Sequence, residues 1–318
     1  MSGVSRKALA AYLITCTVWG STYLAIRIGV HDLPPFLFAG VRFLVAGLLL
    51  GAFVLWRGLD LPANRREAVF VSACGLLFFT VGNGLVVWAE QFVPSGVASV
   101  YVVTVTIWTA VLDALLPGGT NRITARIAVG LGVGFLGSLL LVGATPAELL
   151  AADLRGPLAL TCAAIGWSFG TVFMKRRRPA ASPFTSAALQ MLAGGAGLTI
   201  LGLGLGELPR WQLTPSSAGA LVYLITFGSI VGFGAYAYAL RHMKPAALGT
   251  YAYVNPVVAV ILGWLLASEP VTLRMVVAMV LMLGAACLIQ FGDLLAARRP
   301  AGAAARPHGT PALRPEVD

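Results

Sequence analysis

The chain has 318 residues, 58% of them hydrophobic and only 11% charged, with a formal net charge of +10. A soluble domain carries about a quarter charged residues, so the composition excludes a water-soluble globular fold and requires a membrane protein. The positive residues stand singly or in fours between apolar runs rather than along one amphipathic face, which speaks against nucleic acid and for a topology signal.

Polar and Pro/Gly punctuation divides the chain into ten apolar spans near the length a bilayer core requires. They cover about 9–29, 35–56, 68–90, 95–116, 124–143, 156–175, 184–205, 217–240, 246–267 and 271–292. The expected fold is therefore an all-α membrane protein of ten transmembrane helices, with 294–318 as a disordered cytoplasmic tail. No cleaved signal peptide is expected, because the first apolar run is long enough to span and carries W-G-S-T-Y at 19–23.

The Lys/Arg bias sets the orientation. With the N-terminus inside, the inner segments hold 17 positive residues: Arg6, Lys7, Arg57, Arg65, Arg66, Arg122, Arg126, Lys175, Arg176, Arg177, Arg178, Arg241, Lys244, Arg298, Arg299, Arg306 and Arg314. The outer segments hold Arg27, Arg155, Arg210 and Arg274, and Arg42 lies within a span. Both termini are thus expected in the cytoplasm.

The two halves echo each other at an offset of 148: Trp19 with Trp167, Pro35-Phe36 with Pro183-Phe184, Arg126 with Arg274, and Arg42 opposite Gln190. Five spans is an odd number, so the second copy must enter from the opposite side. The expected units are residues 1–143 and 144–293, an inverted repeat with a site near the midplane between them. Glycines four apart (Gly47/Gly51, Gly130/Gly134, Gly166/Gly170, Gly228/Gly232) let helices approach closely in lipid.

The ninth span centres the functional reading. Pro256 has no N–H for the carbonyl of Ala252, and hydrocarbon offers that carbonyl no substitute. A helix break at Asn255-Pro256 is expected, with Tyr251 and Asn255 four apart on one face. Elsewhere Trp19, Thr22 and Tyr23 form a mid-span stripe, and Tyr101, Thr104 and Trp108 share a face of the fourth span. Either stripe lines a cavity or packs between helices. Asn83 binds substrate or bonds a neighbouring helix, since an unpaired amide is costly there. Trp167, Tyr238, Tyr251, Tyr253 and Asn255 complete the substrate-binding candidates, with Ser168, Gln190, Ser229 and Tyr236 in the same polar set.

Arg42 lies about 10 Å below the outer mouth of its span, at 1.5 Å per residue. It attracts a substrate carboxylate, pairs with Glu90 as a clamp, or snorkels to the interface. Asp113 and Ser268-Glu269-Pro270 read as helix-end chemistry. Cys16, Cys74, Cys162 and Cys287 all fall in apolar runs, so small buried residues are expected rather than disulfides or a metal site. No ATP-binding pattern, catalytic cluster or cofactor signature occurs.

W-G-S-T-Y-L-A-I-R (19–27), R-F-L-V-A-G (42–47), G-N-G-L-V (82–86), A-E-Q-F-V-P-S-G-V-A-S-V (89–100) and A-Y-V-N-P-V-V-A-V-I-L-G (252–263) resemble the EamA-type drug/metabolite transporters along all ten spans. The resemblance implies two five-helix EamA repeats and export of metabolites such as amino acids or amphiphilic compounds across a bacterial inner membrane. The family's proline midway along the fourth span is replaced here by Thr106. The reading that follows is a non-enzymatic secondary transporter working by alternating access, with a small-molecule substrate and the bilayer as partners. Aromatic walls suit a cationic or zwitterionic solute. A ligand-binding sensor and a multidrug efflux protein remain the alternatives. The oligomeric state stays open, and a monomer is compatible with the pattern.

Overall fold

The computed structural model describes residues 5–89, 101–117, 123–143, 154–267 and 271–297. Residues 298–318 of the expected tail, Glu90 and Ser268-Glu269-Pro270 lie outside these, as does the side chain of Tyr23, while 294–297, expected to be disordered, form the end of the last helix. Among the described residues the chain is helical throughout, without strands. In chain order the helices are α1 (Arg6–Asp32), α2 (Pro35–Trp56), α3 (Arg65–Ala89), α4 (Tyr101–Leu115) and α5 (Ala125–Val142). They continue with α6 (Arg155–Arg177), α7 (Pro183–Gly204), α8 (Pro215–His242), α9 (Pro245–Gly249 and Tyr251–Ala267) and α10 (Leu273–Ala297). By length and composition, seven helices among the described residues can cross a bilayer: α2, α3, α5, α6, α7, α8 and the Pro245–Leu262 part of α9. Large apolar side chains such as Leu48, Leu55, Leu136, Ile200 and Val280 stand exposed on the outside, a surface that only hydrocarbon would cover without cost. The chain is a multi-pass membrane protein.

Local chemistry sets the helix ends. Ser5, Asn64, Thr124, Ser182 and Thr214 accept from the backbone N–H three residues on, and Pro35, Pro183, Pro215 and Pro245 open their helices, where a missing N–H costs nothing. α2 has no side-chain cap of its own. Its first free N–H groups are taken by the buried carboxylate of Glu207, at 2.8 Å from Leu37 N and 3.3 Å from Phe36 N, where the helix dipole also favours an anion.

The 148-residue offset recurs in the backbone. α2 and α7 are each 22 residues long and start 148 apart. The middle of α3 is a π-helical stretch, Leu76–Asn83, and that of α8 is another, Leu224–Val231, again 148 apart at both ends. The most extensive packing pairs each of these equivalents with its mate: α2 on α7, and α5 on α10. α1 packs on α8 and α9 of the second half, while α6 packs on α3 and α4 of the first. Glycines permit the closest approaches. A Cβ on Gly75 would meet the Gln190 backbone at 2.4 Å, and one on Gly134 would meet the Tyr253 ring at 2.5 Å.

Two expectations are corrected here. The ninth span does not break at Asn255-Pro256; α9 interrupts at Thr250 and runs on through Pro256. The interruption is stabilised locally: Thr250 N and Oγ1 both bond Ala247 O, at 3.3 and 2.7 Å, Tyr253 N bonds Thr250 O at 3.0 Å, and Thr106 Oγ1 of α4 donates to Gly249 O at 3.0 Å. Six residues later, proline sits just past the first turn of a new helical segment, and Ala252, whose carbonyl it cannot satisfy, faces a cavity. Second, Cys16 and Cys74 are buried, but Cys162 and Cys287 are free thiols on the outer surface. Asp113 does lie in the last turn of α4, and its carboxylate is fully buried, 3.6 Å from Nη2 of Arg176 on α6.

Candidate functional site

The helices enclose a cavity of about 1190 Å³ that opens at the α1–α2 and α7–α8 end of the bundle. Its walls come from both halves: Trp19 and Thr22 of α1, Arg42 and Phe43 of α2, Asn83 of α3, Trp167 of α6, Gly228 and Phe233 of α8, and Tyr251 and Asn255 of α9. Its volume exceeds the few hundred Å³ that a small metabolite needs.

The floor is an aromatic layer. Trp19 meets its repeat equivalent Trp167 edge to face, with ring centroids 5.6 Å apart. Tyr251 closes on Trp19 at 5.0 Å and Tyr236 stacks on it at 5.3 Å. Phe78 packs on Trp167 at 4.9 Å, and Phe79 bridges Phe43 at 4.2 Å and Phe233 at 4.7 Å. Each such pair adds about 0.5–1.5 kcal/mol beyond area burial, so the layer is stiff. The π-turn of α8 helps place it. Gly232 N bonds Phe227 O instead of the Gly228 O that an α-helix would use, and Gly228 O accepts from the Trp19 indole N–H at 3.0 Å. Wide turns of this kind recur at functional sites because they re-aim backbone groups.

Polar groups ring the wall above that floor. The Asn255 amide, assigned with its nitrogen toward α1, donates to Cys16 O and Tyr251 O at 3.1 Å each. Arg42 is 7% exposed; its Nε donates to Ser229 Oγ at 2.9 Å and its guanidinium lies 4.7 Å from the Phe43 ring centre. Tyr223 OH and Ser21 Oγ, 2.5 Å apart, join α8 to α1 near the mouth.

Of the residues singled out from sequence, Trp19, Asn83, Trp167, Tyr251, Asn255 and Arg42 line this cavity. Four others do not. Tyr253 is fully buried on the opposite face of α9, donating to Leu131 O of α5 at 3.1 Å. Tyr101 packs beside Ala89 and Leu160, Trp108 is half-buried away from the cavity, and Tyr238 stacks on His242 at 4.4 Å toward the far end of α8. Phe43, Phe79 and Phe233 were not anticipated, because a phenylalanine in a membrane span gives no signal that separates wall from lipid face. Ser229, one of the polar set, is the acceptor for Arg42 Nε.

At the other end the bundle is shut. Lys175 Nζ donates to Leu240 O and Arg241 O at 2.9 and 3.0 Å. Arg241 Nη2 donates to Ala181 O at 2.5 Å and also to Pro179 O. Arg176 donates to the carbonyls of Asp113, Leu116 and Pro117 at the end of α4. Thr185 Oγ1 and Ser182 N reach Asp60 O at 2.8 and 2.9 Å. Lys175 and Arg176 thus cap carbonyls that the ends of α8 and α4 leave unpaired, and Arg241 holds two carbonyls of the α6–α7 link. A space of only about 30 Å³ remains beneath the aromatic layer, bounded by Lys175, Ser186, Gln190, Tyr236 and Arg241 among others. Among the described residues no His/Cys/Asp/Glu cluster could hold a metal.

Comparison with known proteins agrees with this architecture. The EamA-like transporter family matches residues 6–143 and 154–291. The chain is 39% identical over 286 residues to the uncharacterised inner membrane transporter YedA of Escherichia coli K12, covering 89% of this chain and 90% of that one. It is 23% identical over 277 residues to the uncharacterised transporter YoaV of Bacillus subtilis, with 86% and 94% covered. It is 27% identical over 283 residues to a chloroplastic WAT1-related protein of Arabidopsis thaliana, with 86% and 67% covered. A crystal structure of a protein 23% identical in sequence superposes with a TM-score of 0.77, covering 92% of this chain and 99% of that one, which shows the shared fold.

Proposed function

The chain belongs to the EamA-like transporter family, and from that premise we propose that it is a secondary transporter that exports small amphiphilic metabolites across the inner membrane by alternating access. In this reading ten helices span the bilayer as two inverted five-helix repeats, with both termini cytoplasmic. The observation that carries it is one cavity walled by both halves, open at one end and sealed at the other by the aromatic layer and the basic side chains beneath it. The charge bias assigns the open end to the outside, so the state described is outward-facing. Transport then requires the seal to part on the inner side while the α1–α2 mouth closes. Rocking of α1 with α8 and α9 against α6 with α3 and α4 would do both at once, since those are the packed groups.

Flux into proteoliposomes tests the proposal. Saturable movement of a solute panel supports transport, while tight binding without flux supports a sensor. Asn255→Ala removes both contacts that tie α9 to α1 and to its own first turn. It is expected to lower flux about tenfold with membrane insertion unchanged; equal flux would remove Asn255 from the mechanism.

A further inference from the structure

Among the described residues, the charge lining the cavity has only one sign. Among the described lining residues the charged groups are Arg42, deep in the wall, and Arg210, at the mouth; no aspartate or glutamate joins them. Arg42 spends one donor, Nε, on the neutral Ser229 hydroxyl. Its Nη atoms have no hydrogen-bond partner among the described residues, and no carboxylate there lies within ion-pair distance of it. The position is built for the group. A Cβ on Gly228 would come within 2.9 Å of Arg42 Nη2, so the glycine opens the space that the guanidinium fills. Ser229, on the same π-turn, fixes its tilt, and the Phe43 ring backs it.

A guanidinium held at membrane depth without a counter-ion is costly, and the field in a low-dielectric cleft lined by one sign of charge concentrates ions of the other. The free Nη1–Nη2 edge of this planar fork matches two oxygens of a carboxylate or of a sulfonate. Below the arginine the wall turns apolar and aromatic, through Phe43, Phe79, Trp19 and Trp167. A cation would meet the same aromatic faces but would have to approach Arg42 with no acidic group among the described lining residues to offset the repulsion.

We infer that the substrate class is an organic monoanion, a carboxylate or sulfonate on an apolar or aromatic body, with Arg42 as its counter-charge and Ser229 as the residue that orients Arg42. This deepens the transport reading and rests on it. It also reverses the preference for cations that aromatic residues alone suggest.

The test is flux of a charge-matched panel through proteoliposomes of the full chain against empty liposomes. The anions are hippurate and benzenesulfonate, the neutral analogues hippuramide and benzenesulfonamide, and the cation phenyltrimethylammonium. The expected result is saturable movement of an anion at least tenfold above the neutral and cationic members. Arg42→Gln is expected to erase that preference, Arg42→Lys to keep the sign but weaken it, and Ser229→Ala to reduce it by a few-fold. Flux of the cation or the neutral members equal to the anions in the parent protein overturns the inference and leaves transport standing. So does an anion preference that survives Arg42→Gln. If Arg42→Gln does not fold, the parent panel alone still decides the sign. Absence of protein-dependent flux for every member removes the transport reading and the inference with it.

Discussion

The two ends of the bundle are made of equivalent parts in opposite states. At one end Arg42 stands in the wall of a cavity of about 1190 Å³, with Ser229 as its hydrogen-bond partner. Its counterpart 148 residues on, Gln190, is 1% exposed beside a space of about 30 Å³, and its Nε2 has no hydrogen-bond partner among the described residues. That space has room for about one water. The difference arises in the surroundings. Beneath Gln190, Lys175, Arg176 and Arg241 clamp helix-end carbonyls of α8, α4 and the α6–α7 link. Near Arg42, the links are the Glu207 cap on α2, the Tyr223–Ser21 contact and the Thr214–Asp32 contact, which tie α1 and α2 to the second half without covering the mouth. A pair of similar repeats packed face to face need not be symmetric at any moment; polar latches at one end decide which vestibule exists.

Removing the partition between the ends has the largest expected effect. Trp19→Ala deletes the ring that touches Trp167, Tyr236 and Tyr251, and is expected to cost about 3–5 kcal/mol, read as a fall in Tm in detergent, with solute leak across vesicles. An unaltered Tm would mean that the layer does not separate the two spaces. Opening the shut end comes next. With the native cysteines replaced by alanine and a cysteine placed at Ser186, Lys175→Met combined with Arg241→Ala is expected to raise thiol labelling from the inner side about tenfold. Loss of the charged-group hydrogen bonds should lower stability by about 1.5–3 kcal/mol. Unchanged labelling would locate the seal elsewhere.

A smaller effect sharpens the Arg42–Gln190 contrast. Gln190→Leu removes a buried donor without a partner and is expected to stabilise the protein by about 1 kcal/mol, a rise of a few degrees in Tm. A fall of similar size would show that a water or a transient conformer uses the amide. The smallest effect lies at the open mouth. Asp32, at the end of α1, has its carboxyl held below the ordinary carboxylate value by hydrogen bonds from Thr214 and then from His31. A depressed folded value means that the contact stabilises above the unfolded pKa and is lost as pH falls through the folded one, so the window lies below about pH 4. Thr214→Val should flatten the change in Tm across that window, and parallel curves for both proteins would remove Asp32 from it.

Much of this was legible in the residues. The offset of 148, read from Trp19 with Trp167 and Pro35 with Pro183, reappears as two Trp rings in contact and as two helices that begin with those prolines. Arg42 stood out because a charge within an apolar run is costly wherever that run packs. The side chains that disappointed were those whose face depends on helix rotation. Tyr251 and Tyr253 are two residues apart, so they point to opposite sides of α9. Only packing against Trp19 on one side and Gly134 and Leu131 on the other tells cavity from core. Pro256 misled for a related reason. A missing N–H marks an unpaired carbonyl, but the chain interrupts where neighbouring hydroxyls, Thr250 and Thr106, can satisfy the groups set free.

Composition, span length, repeat spacing and the burial of a cation were determined by the sequence alone, since each depends on what a residue costs in hydrocarbon and not on its neighbours. The tertiary structure decided which end is open, where α9 bends, which tyrosine faces the cavity, and that Arg42 meets a serine rather than an acid among the described residues. Those are pairings between residues as much as 238 positions apart, and their energies exist only once the helices have settled against one another.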